Sequence, residues 1–332
     1  MATTADPLVA ELADACRGAV IANASLAGLT TLRVGGPARV LVTAESDEDL
    51  VAVARAGHRY GLPWAVIGRG SNLLVSDAGW PGIAVTLGRG FREVDIDGSR
   101  VRAGGAEPLP TLAVTVADAG LAGFAWACAV PGTVGGAVRM NAGAHGGEMV
   151  DHLVEVEVMR LASATRETWP AATLGLRYRH SELPADAVVV AATLELGAGD
   201  AETIREEIAE IRAWRRANQP LNRPNCGSVF TNPPGDSAGR LIDAVGGKQL
   251  AVGGAEVSQR HANFIVTRPG ATASDVAALI ASIRQRVLAS TGVDLVPEVT
   301  RLGAFDPADD LAAAGEGGAR PATDAESQPP RR

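Results

Sequence analysis

The sequence predicts an α+β protein built of three packed units, and three observations carry that prediction. A strand–helix–strand pattern near the N-terminus runs straight into a glycine-rich loop. A second stretch alternates like an antiparallel hairpin and places strands around one helix. A third mixed stretch follows a long amphipathic helix that ends before Pro220. The length of 332 residues suffices for two or three such units.

Residues 1–25 are alanine-rich, and Leu8 and Leu12 give a short helix an apolar face. Residues 38–43 predict a strand, and Ser46-Asp47-Glu48-Asp49 a capping box before a helix with Leu50, Val53 and Ala54 on its inner face. Residues 64–67 predict a buried strand and residues 83–87 another. Residues 92–96 and 100–103 alternate about Asp97-Gly98, the signal of a hairpin. A helix over 109–119 and a glycine-rich passage over 131–147 follow, then strands over 154–161 and 188–196. Asp200 caps a helix reaching residue 216, with Ile204, Ile208 and Ile211 on one face. Beyond it, strands are expected over 228–230 and 264–267, and a helix over 274–290 with Val276, Leu279, Ile283 and Val287 inward. From Asp306 the chain loses periodicity, which predicts a disordered tail. The boundaries follow: a helical segment over 1–25, units over 26–91, 92–199 and 200–303, and a tail over 304–332.

Composition narrows the function. Apolar residues make up 46% and charged residues 20%, as in an ordinary globular protein. The 39 glycines exceed the usual share of roughly 7%, and they cluster in loops, which points to close backbone approaches. A net charge of −8 argues against general nucleic-acid binding. Three separated cysteines, Cys16, Cys128 and Cys226, predict reduced thiols rather than disulfides, and none has metal-ligand spacing. Neither a signal peptide nor an apolar run of membrane-spanning length is evident. Lys248 is the single lysine among 30 basic residues, so its retention draws notice.

Several motifs bear on chemistry. Gly68-Arg69-Gly70-Ser71-Asn72-Leu73 follows a strand, where glycines let backbone N–H groups face an anion. No Gly-Lys-Ser/Thr follows, which excludes a Walker A loop, and Leu73 stands where a dinucleotide fingerprint needs its third glycine. A tight connecting turn explains it equally well. The passage from Pro131, Gly132, Thr133, Gly135 and Gly136 to Asn141, Gly143 and Ala144 is rich in donors and poor in side chains, as suits a flat phosphate-bearing cofactor. Its β-branched residues argue against a flexible linker. His145 fits a metal ligand, a covalent cofactor anchor or, more simply, a solvated loop. Arg179 beside Tyr178 is either a carboxylate or phosphate clamp or a surface arginine. Ser228 enters a short strand after Cys226-Gly227, but Phe230 rules out a hydrolase elbow. Cys226 lacks a neighbouring acid–base partner for a nucleophilic role. Glu298 stands alone in an apolar run, either at a strand edge or buried with a partner.

The order and spacing of these motifs resemble the UDP-N-acetylenolpyruvoylglucosamine reductase (MurB) family from about residue 25 to residue 303. The resemblance is carried by the two glycine-rich passages, Tyr178-Arg179-x-Ser181, Gly227-Ser228-Val229-Phe230-x-Asn232-Pro233, Ala238-Gly239-Arg240-Leu241-Ile242-Asp243, Gly253-Gly254-Ala255-x-Val257-Ser258, His261-Ala262-Asn263-Phe264 and Pro297-Glu298-Val299. It implies a two-subdomain FAD-binding fold of the vanillyl-alcohol-oxidase (PCMH) type over 26–199, and a C-terminal α+β substrate domain over 200–303. It also implies non-covalent FAD, reduction by NADPH, and a UDP-sugar substrate carrying an enolpyruvyl ether. A cytoplasmic monomer with no membrane insertion is expected.

By that resemblance, Arg179, Ser228 and Glu298 form the catalytic set. Arg33, the six residues from Gly68 to Leu73 and the donors of the second passage named above bind the cofactor. Tyr178, Lys248 and Asn232 are the candidates for substrate. Cys226 departs from the commoner alanine and puts the oxidation resistance of the site in question. Leu32 and Asn222-Arg223-Pro224 are also uncommon forms, and the short spacing from Tyr178 to Glu195 implies the variant without an extra gating loop. Another flavoprotein of the same fold, such as an alcohol oxidase, and a catalytically silent nucleotide-binding protein are the competing readings.

Overall fold

In the computed structural model residues 6–306 are described, so the tail expected from 304 lies outside them from residue 307 on. Helix α1 (Pro7–Ala15) buries Leu8 and Leu12 completely, and Asp6 caps it by accepting from the Leu8 N–H at 3.0 Å. The rest of the expected helical segment is strand β1 (Val20–Ser25), which pairs antiparallel with β2 (Pro37–Ala44). The alanines of this segment hid the strand, because alternation is weak when the apolar residues are small. Helix α2 (Asp47–Tyr60) packs Leu50, Val53 and Ala54 inward. Ser46 accepts from the Asp49 N–H, but the Asp49 carboxylate does not complete a capping box. It accepts instead from the N–H groups of Arg17 at 2.9 Å, Gly18 at 3.2 Å and Glu45 at 2.8 Å.

Strand β3 (Trp64–Val66) is not buried as predicted: it lies at the edge of the first sheet with Val66 exposed, and only Ile67 beyond it is covered. Strand β4 (Leu73–Val75) leaves this sheet, and β5 (Trp80–Leu87) pairs in parallel with both β2 and β3. The first sheet thus has the order β1-β2-β5-β3.

The hairpin of β6 (Val94–Asp97) and β7 (Arg100–Gly104) turns at Gly98, whose φ of +58° suits a residue without a Cβ. Helix α3 (Leu109–Asp118) and the two-residue strand β8 (Leu121–Ala122) follow. The second glycine-rich passage is not all loop. It contains helix α4 (Val134–Arg139), which Thr133 caps, and a small hairpin of β9 (Gly143–Ala144) and β10 (Gly147–Glu148). Strand β11 (Leu153–Arg160), the unpredicted β12 (Thr165–Pro170) and β13 (Ala187–Glu195) complete an antiparallel sheet of order β12-β11-β13-β7-β6. Strand β13 reads as one apolar run because both its faces are covered. Val189, Ala192 and Leu194 enter the core under α3 and α4, while Val188 and Val190 pack on Val40, Ile83 and Phe91 of the first unit.

Strand β14 (Gly197–Ala198) pairs with β8 and leads into α5 (Ala201–Asn218). The predicted boundary at residue 200 assigns this helix to the third unit; the structure packs it with the second. Ile204, Ile208 and Ile211 join the same core as Leu112, Val116 and Phe124. The amphipathic face was legible, but nothing along the chain says which core it covers.

The third unit holds α6 (Ala238–Ala244) and an antiparallel sheet of β15 (Ala251–Val252), β16 (Ala255–Val257) and β17 (Ile265–Thr267). Its long helix α7 (Ala273–Thr291) starts at a Thr272/Asp275 capping box and ends at Gly292 in the left-handed region. The four inward residues predicted for this helix are buried. The strand expected over 228–230 is reduced to one bridge between Phe230 and Pro297. Two features tie this unit to the first. The Asp77 carboxylate accepts from the Ala273 and Ser274 N–H groups at the start of α7. Strand β18 (Thr300–Leu302) pairs in parallel with β4. Phe305 packs against the third core and beneath Arg301.

Candidate active site

A cleft of about 370 Å³ opens where the three units meet. One wall is the loop that links β3 to β4. Among the described residues, the backbone N–H groups of residues 68–72 find no acceptor in the protein. Gly70 has φ of +58°, and a Cβ there would overlap the Leu29 carbonyl oxygen. A Cβ on Gly68 would stand 2.9 Å from the Thr133 hydroxyl, across the gap between the two glycine-rich passages. The loop therefore offers a row of unpaired donors along a channel that side chains would fill. That is the chemistry a pyrophosphate-bearing cofactor requires. A smaller cavity of about 140 Å³ shares Gly68, Arg69, Thr133 and Gly136 with the cleft.

The other walls bring together residues distant in sequence. Arg179 sits in the left-handed region at φ +54°, in a tight loop closed by reciprocal bonds between Arg177 and His180. Its Nη2 donates to the Gly143 carbonyl at 2.6 Å, its Nε lies 3.3 Å from Glu298 Oε1, and its Nη1 lies 3.5 Å from Glu148 Oε1. Its guanidinium also stacks over the Tyr178 ring, 4.9 Å from the centroid. Glu298 is fixed from both ends: its N–H donates to the Val229 carbonyl at 2.8 Å, and its carbonyl accepts from Asn72 Nδ2 at 3.0 Å. Burial raises the Glu298 carboxyl above the ordinary carboxylate range, and Arg179 pulls the other way. Of these two causes desolvation is the larger, so the net shift is upward.

Ser228 follows Gly227, which takes φ of +76° and donates its N–H to Asn225 Oδ1 at 3.0 Å. The Ser228 hydroxyl is half-buried on the cleft wall and has no partner among the described residues, so it is free to face a ligand. Cys226 borders the same wall but is buried, and desolvation pushes its thiol up to about 12. The expected oxidation sensitivity does not follow from this environment, since the reactive species is the thiolate.

Of the residues singled out from the sequence, Gly68, Arg69, Gly70, Ser71, Asn72, Leu73, Pro131, Gly132, Thr133, Gly136, Gly143 and Ala144 line the cleft. So do Tyr178, Arg179, Ser228, Asn232 and Glu298. Four do not. Gly135 lines only the smaller cavity. Arg33 is exposed and points its backbone, at φ +59°, through a turn outside the cleft. Asn141 is fully buried and spends its side chain on Glu148, Arg177 and Val150. Lys248 pairs with Asp243 at 2.8 Å, away from the cleft wall. His145 is exposed and meets Trp214 edge-on at 5.1 Å, and no cluster of metal-ligating side chains occurs among the described residues.

Among the residues that escaped the sequence reading are Glu148, which meets Arg179 without lining the cleft, and Arg215 and Gln219, which do line it. Glu148 was detectable as the one carboxylate in the passage 131–150. Arg215 and Gln219, joined by a hydrogen bond of 2.9 Å, come from the end of α5, whose placement was misassigned.

The chain is an FAD-binding protein: a family model described as "FAD binding domain" matches residues 38–168, which carry the donor loop of this cleft. A second model, "UDP-N-acetylenolpyruvoylglucosamine reductase, C-terminal domain", matches residues 219–302. The chain is 46% identical to the UDP-N-acetylenolpyruvoylglucosamine reductase of Heliobacterium modesticaldum over 82% of its length and 88% of that protein. It is 45% identical to the Methylorubrum populi reductase over 86% of its length and 93% of the relative. The crystal structure of the Thermus caldophilus enzyme (MurB), 38% identical, superposes with a TM-score of 0.74 over 86% of this chain and 99% of that one. The chain belongs to the UDP-N-acetylenolpyruvoylglucosamine reductase (MurB) family. Among the described residues no helix is long and apolar enough to cross a membrane.

Proposed function

We propose that the chain reduces UDP-N-acetylglucosamine enolpyruvate to UDP-N-acetylmuramate at the expense of NADPH, in peptidoglycan precursor synthesis. The observation that carries this reading is that Arg179, Ser228 and Glu298 line one cleft together with a row of unpaired backbone donors. FAD fits that cleft through residues 68–72 and the Thr133–Gly136 turn; when bound, it supplies hydride chemistry between NADPH and the terminal carbon of the enolpyruvyl double bond. The work left to the protein is to stabilise negative charge and deliver one proton.

As the terminal carbon gains hydride, electron density builds on the adjacent carbon and spreads into the substrate carboxylate. Arg179 supplies fixed positive charge there, and Glu298 in its protonated form a hydrogen-bond donor, both set before charge develops. The Ser228 hydroxyl gives its proton to the adjacent carbon and regains one from solvent. One hydride and one proton thus saturate the double bond. Tyr178 and Asn232, on the same wall, contact the substrate. The protein works as a cytoplasmic monomer; the three unpaired thiols agree with a reducing compartment.

Ser228→Ala tests the assignment by separating the two half-reactions. Reduction of the bound flavin by NADPH should persist at the native rate, while reoxidation by the enolpyruvyl substrate drops about 10²- to 10⁴-fold, the range of a general acid. Equal slowing of both halves would remove Ser228 from the proton-donor role. A purified protein without flavin, or one that oxidises simple alcohols with oxygen, would overturn the whole reading.

A further inference from the structure

We infer that Glu148 is a positioning residue for this reaction: it holds the Arg179 guanidinium in the cleft and takes a share of the charge that would otherwise fall on Glu298. The inference deepens the reading above, since it rests on Arg179 and Glu298 acting on the substrate.

The geometry behind it is a frame built on the β9–β10 hairpin. Gly143 and Glu148 stand opposite each other in that hairpin, and both serve Arg179. The Gly143 carbonyl accepts from Nη2, and the Glu148 carboxylate faces Nη1. The second oxygen of Glu148 accepts from Asn141 Nδ2 at 3.1 Å, so the carboxylate cannot swing away without breaking that bond. The same Asn141 amide donates to the Arg177 carbonyl at 3.1 Å, two residues before Arg179, and its oxygen accepts from the Val150 N–H at 2.9 Å. One buried amide therefore fixes both Glu148 and the loop that carries Arg179. That loop needs fixing, because a non-glycine residue in the left-handed region persists only where its surroundings hold it. The Glu148 N–H is in turn held by the Asp151 carboxylate at 2.8 Å.

The charges around the pair are few. Glu298 faces Arg179 and the Cys226 thiol; Arg179 faces Glu298, Glu148 and the Tyr178 ring. With a single carboxylate beside it, Arg179 would strongly favour the charged form of Glu298. A second carboxylate 3.5 Å from the same guanidinium offsets part of the positive potential that Glu298 feels, which favours the protonated acid.

The test uses the full-length, FAD-loaded protein with Glu148→Gln, which keeps the shape and the bond from Asn141, and Glu148→Asp, which keeps the charge. Two quantities are followed across pH: kcat and KM for the enolpyruvyl substrate, and the infrared carbonyl stretch of protonated Glu298, assigned by its loss in Glu298→Gln. In Glu148→Gln the band should titrate at lower pH. The alkaline limb of kcat should move down with it, by about tenfold in rate per pH unit of displacement, with KM little changed. Glu148→Asp should lie between the two. Lost turnover with band and limb both unmoved, or a loss confined to KM, would reduce Glu148 to a fold support and overturn the inference. So would an unchanged Glu148→Gln. If Glu148→Gln does not retain flavin, the displacement in Glu148→Asp decides alone. A band that moves while turnover stays native upholds the charge sharing and instead refutes the catalytic part assigned to Glu298.

Discussion

Replacing Arg179 with lysine tests whether the cleft needs a positive charge or a guanidinium. The charge survives, but the fork does not. Arg179 now serves three acceptors in different directions: Gly143 O at 2.6 Å, Glu298 Oε1 at 3.3 Å and Glu148 Oε1 at 3.5 Å. A single ammonium settles between the carboxylates or on the carbonyl, not on all three, so about two contacts are lost. A hydrogen bond to a charged group contributes about 1.5–3 kcal/mol net. The side chains of Arg179 and Glu298 are only 18% and 17% exposed, so solvent screens the pair little. Part of the lost energy supports the resting enzyme rather than the transition state. Taking about 3 kcal/mol at the reacting state gives a fall in kcat of roughly 10²-fold. The assay is consumption of NADPH in the presence of the enolpyruvyl substrate, with flavin reduction measured separately and expected to be native. A variant within threefold of native kcat, or one whose loss falls wholly on KM, would refute the claim that the planar fork is what the reacting substrate needs.

The remaining predictions concern pH, packing and reactivity. Burial raises the Glu298 carboxyl, so the neutral donor persists to higher pH than an ordinary carboxylate; kcat should hold at low pH and fall as pH rises through the raised value, and Glu298→Gln should abolish that limb. The same shift lowers fold stability as pH climbs from the unfolded carboxyl's range to the folded one, which thermal melts of the native protein and Glu298→Gln should register. Gly68→Ala pushes a methyl to 2.9 Å from the Thr133 hydroxyl, between the two passages; the purified variant should retain less flavin, read from the ratio of visible to ultraviolet absorbance, while its circular dichroism stays native. With its thiol pushed up to about 12 and its side chain buried, Cys226 should resist alkylation in the folded protein and react only after denaturation, as peptide mass mapping would reveal.

What could be read from the chain divides along physical lines. Helices α5 and α7 announced themselves because their apolar residues recur at helical spacing, and Asp200 marks the start of the first. Which core α5 covers was not legible, since periodicity defines a face and not its partner. Strand β1 was hidden in an alanine-rich stretch, and α4 was hidden by glycines, which lower helix propensity yet here let the backbone pass close to the sheet: a Cβ on Gly135 would come within 2.9 Å of the Val189 carbonyl. At the site, the three side chains proposed for catalysis came from the resemblance to the MurB family. Glu148 was passed over, because its importance lies in an ion pair across the fold. Lys248 attracted notice for its rarity, and the structure gives it an ordinary surface partner in Asp243.

The parallel pairing of β18 with β4 constrains how this enzyme can be taken apart. Asn72 accepts from the Thr300 N–H at 3.0 Å and donates to the Glu298 carbonyl, so the ribbon stitches the start of one unit's strand to the end of another's. A split protein cut near residue 219 would leave the donor loop on one fragment and Glu298 on the other. Neither piece would keep half an activity: the first would present a cofactor channel lacking a wall, and the second an acid with nothing to act on.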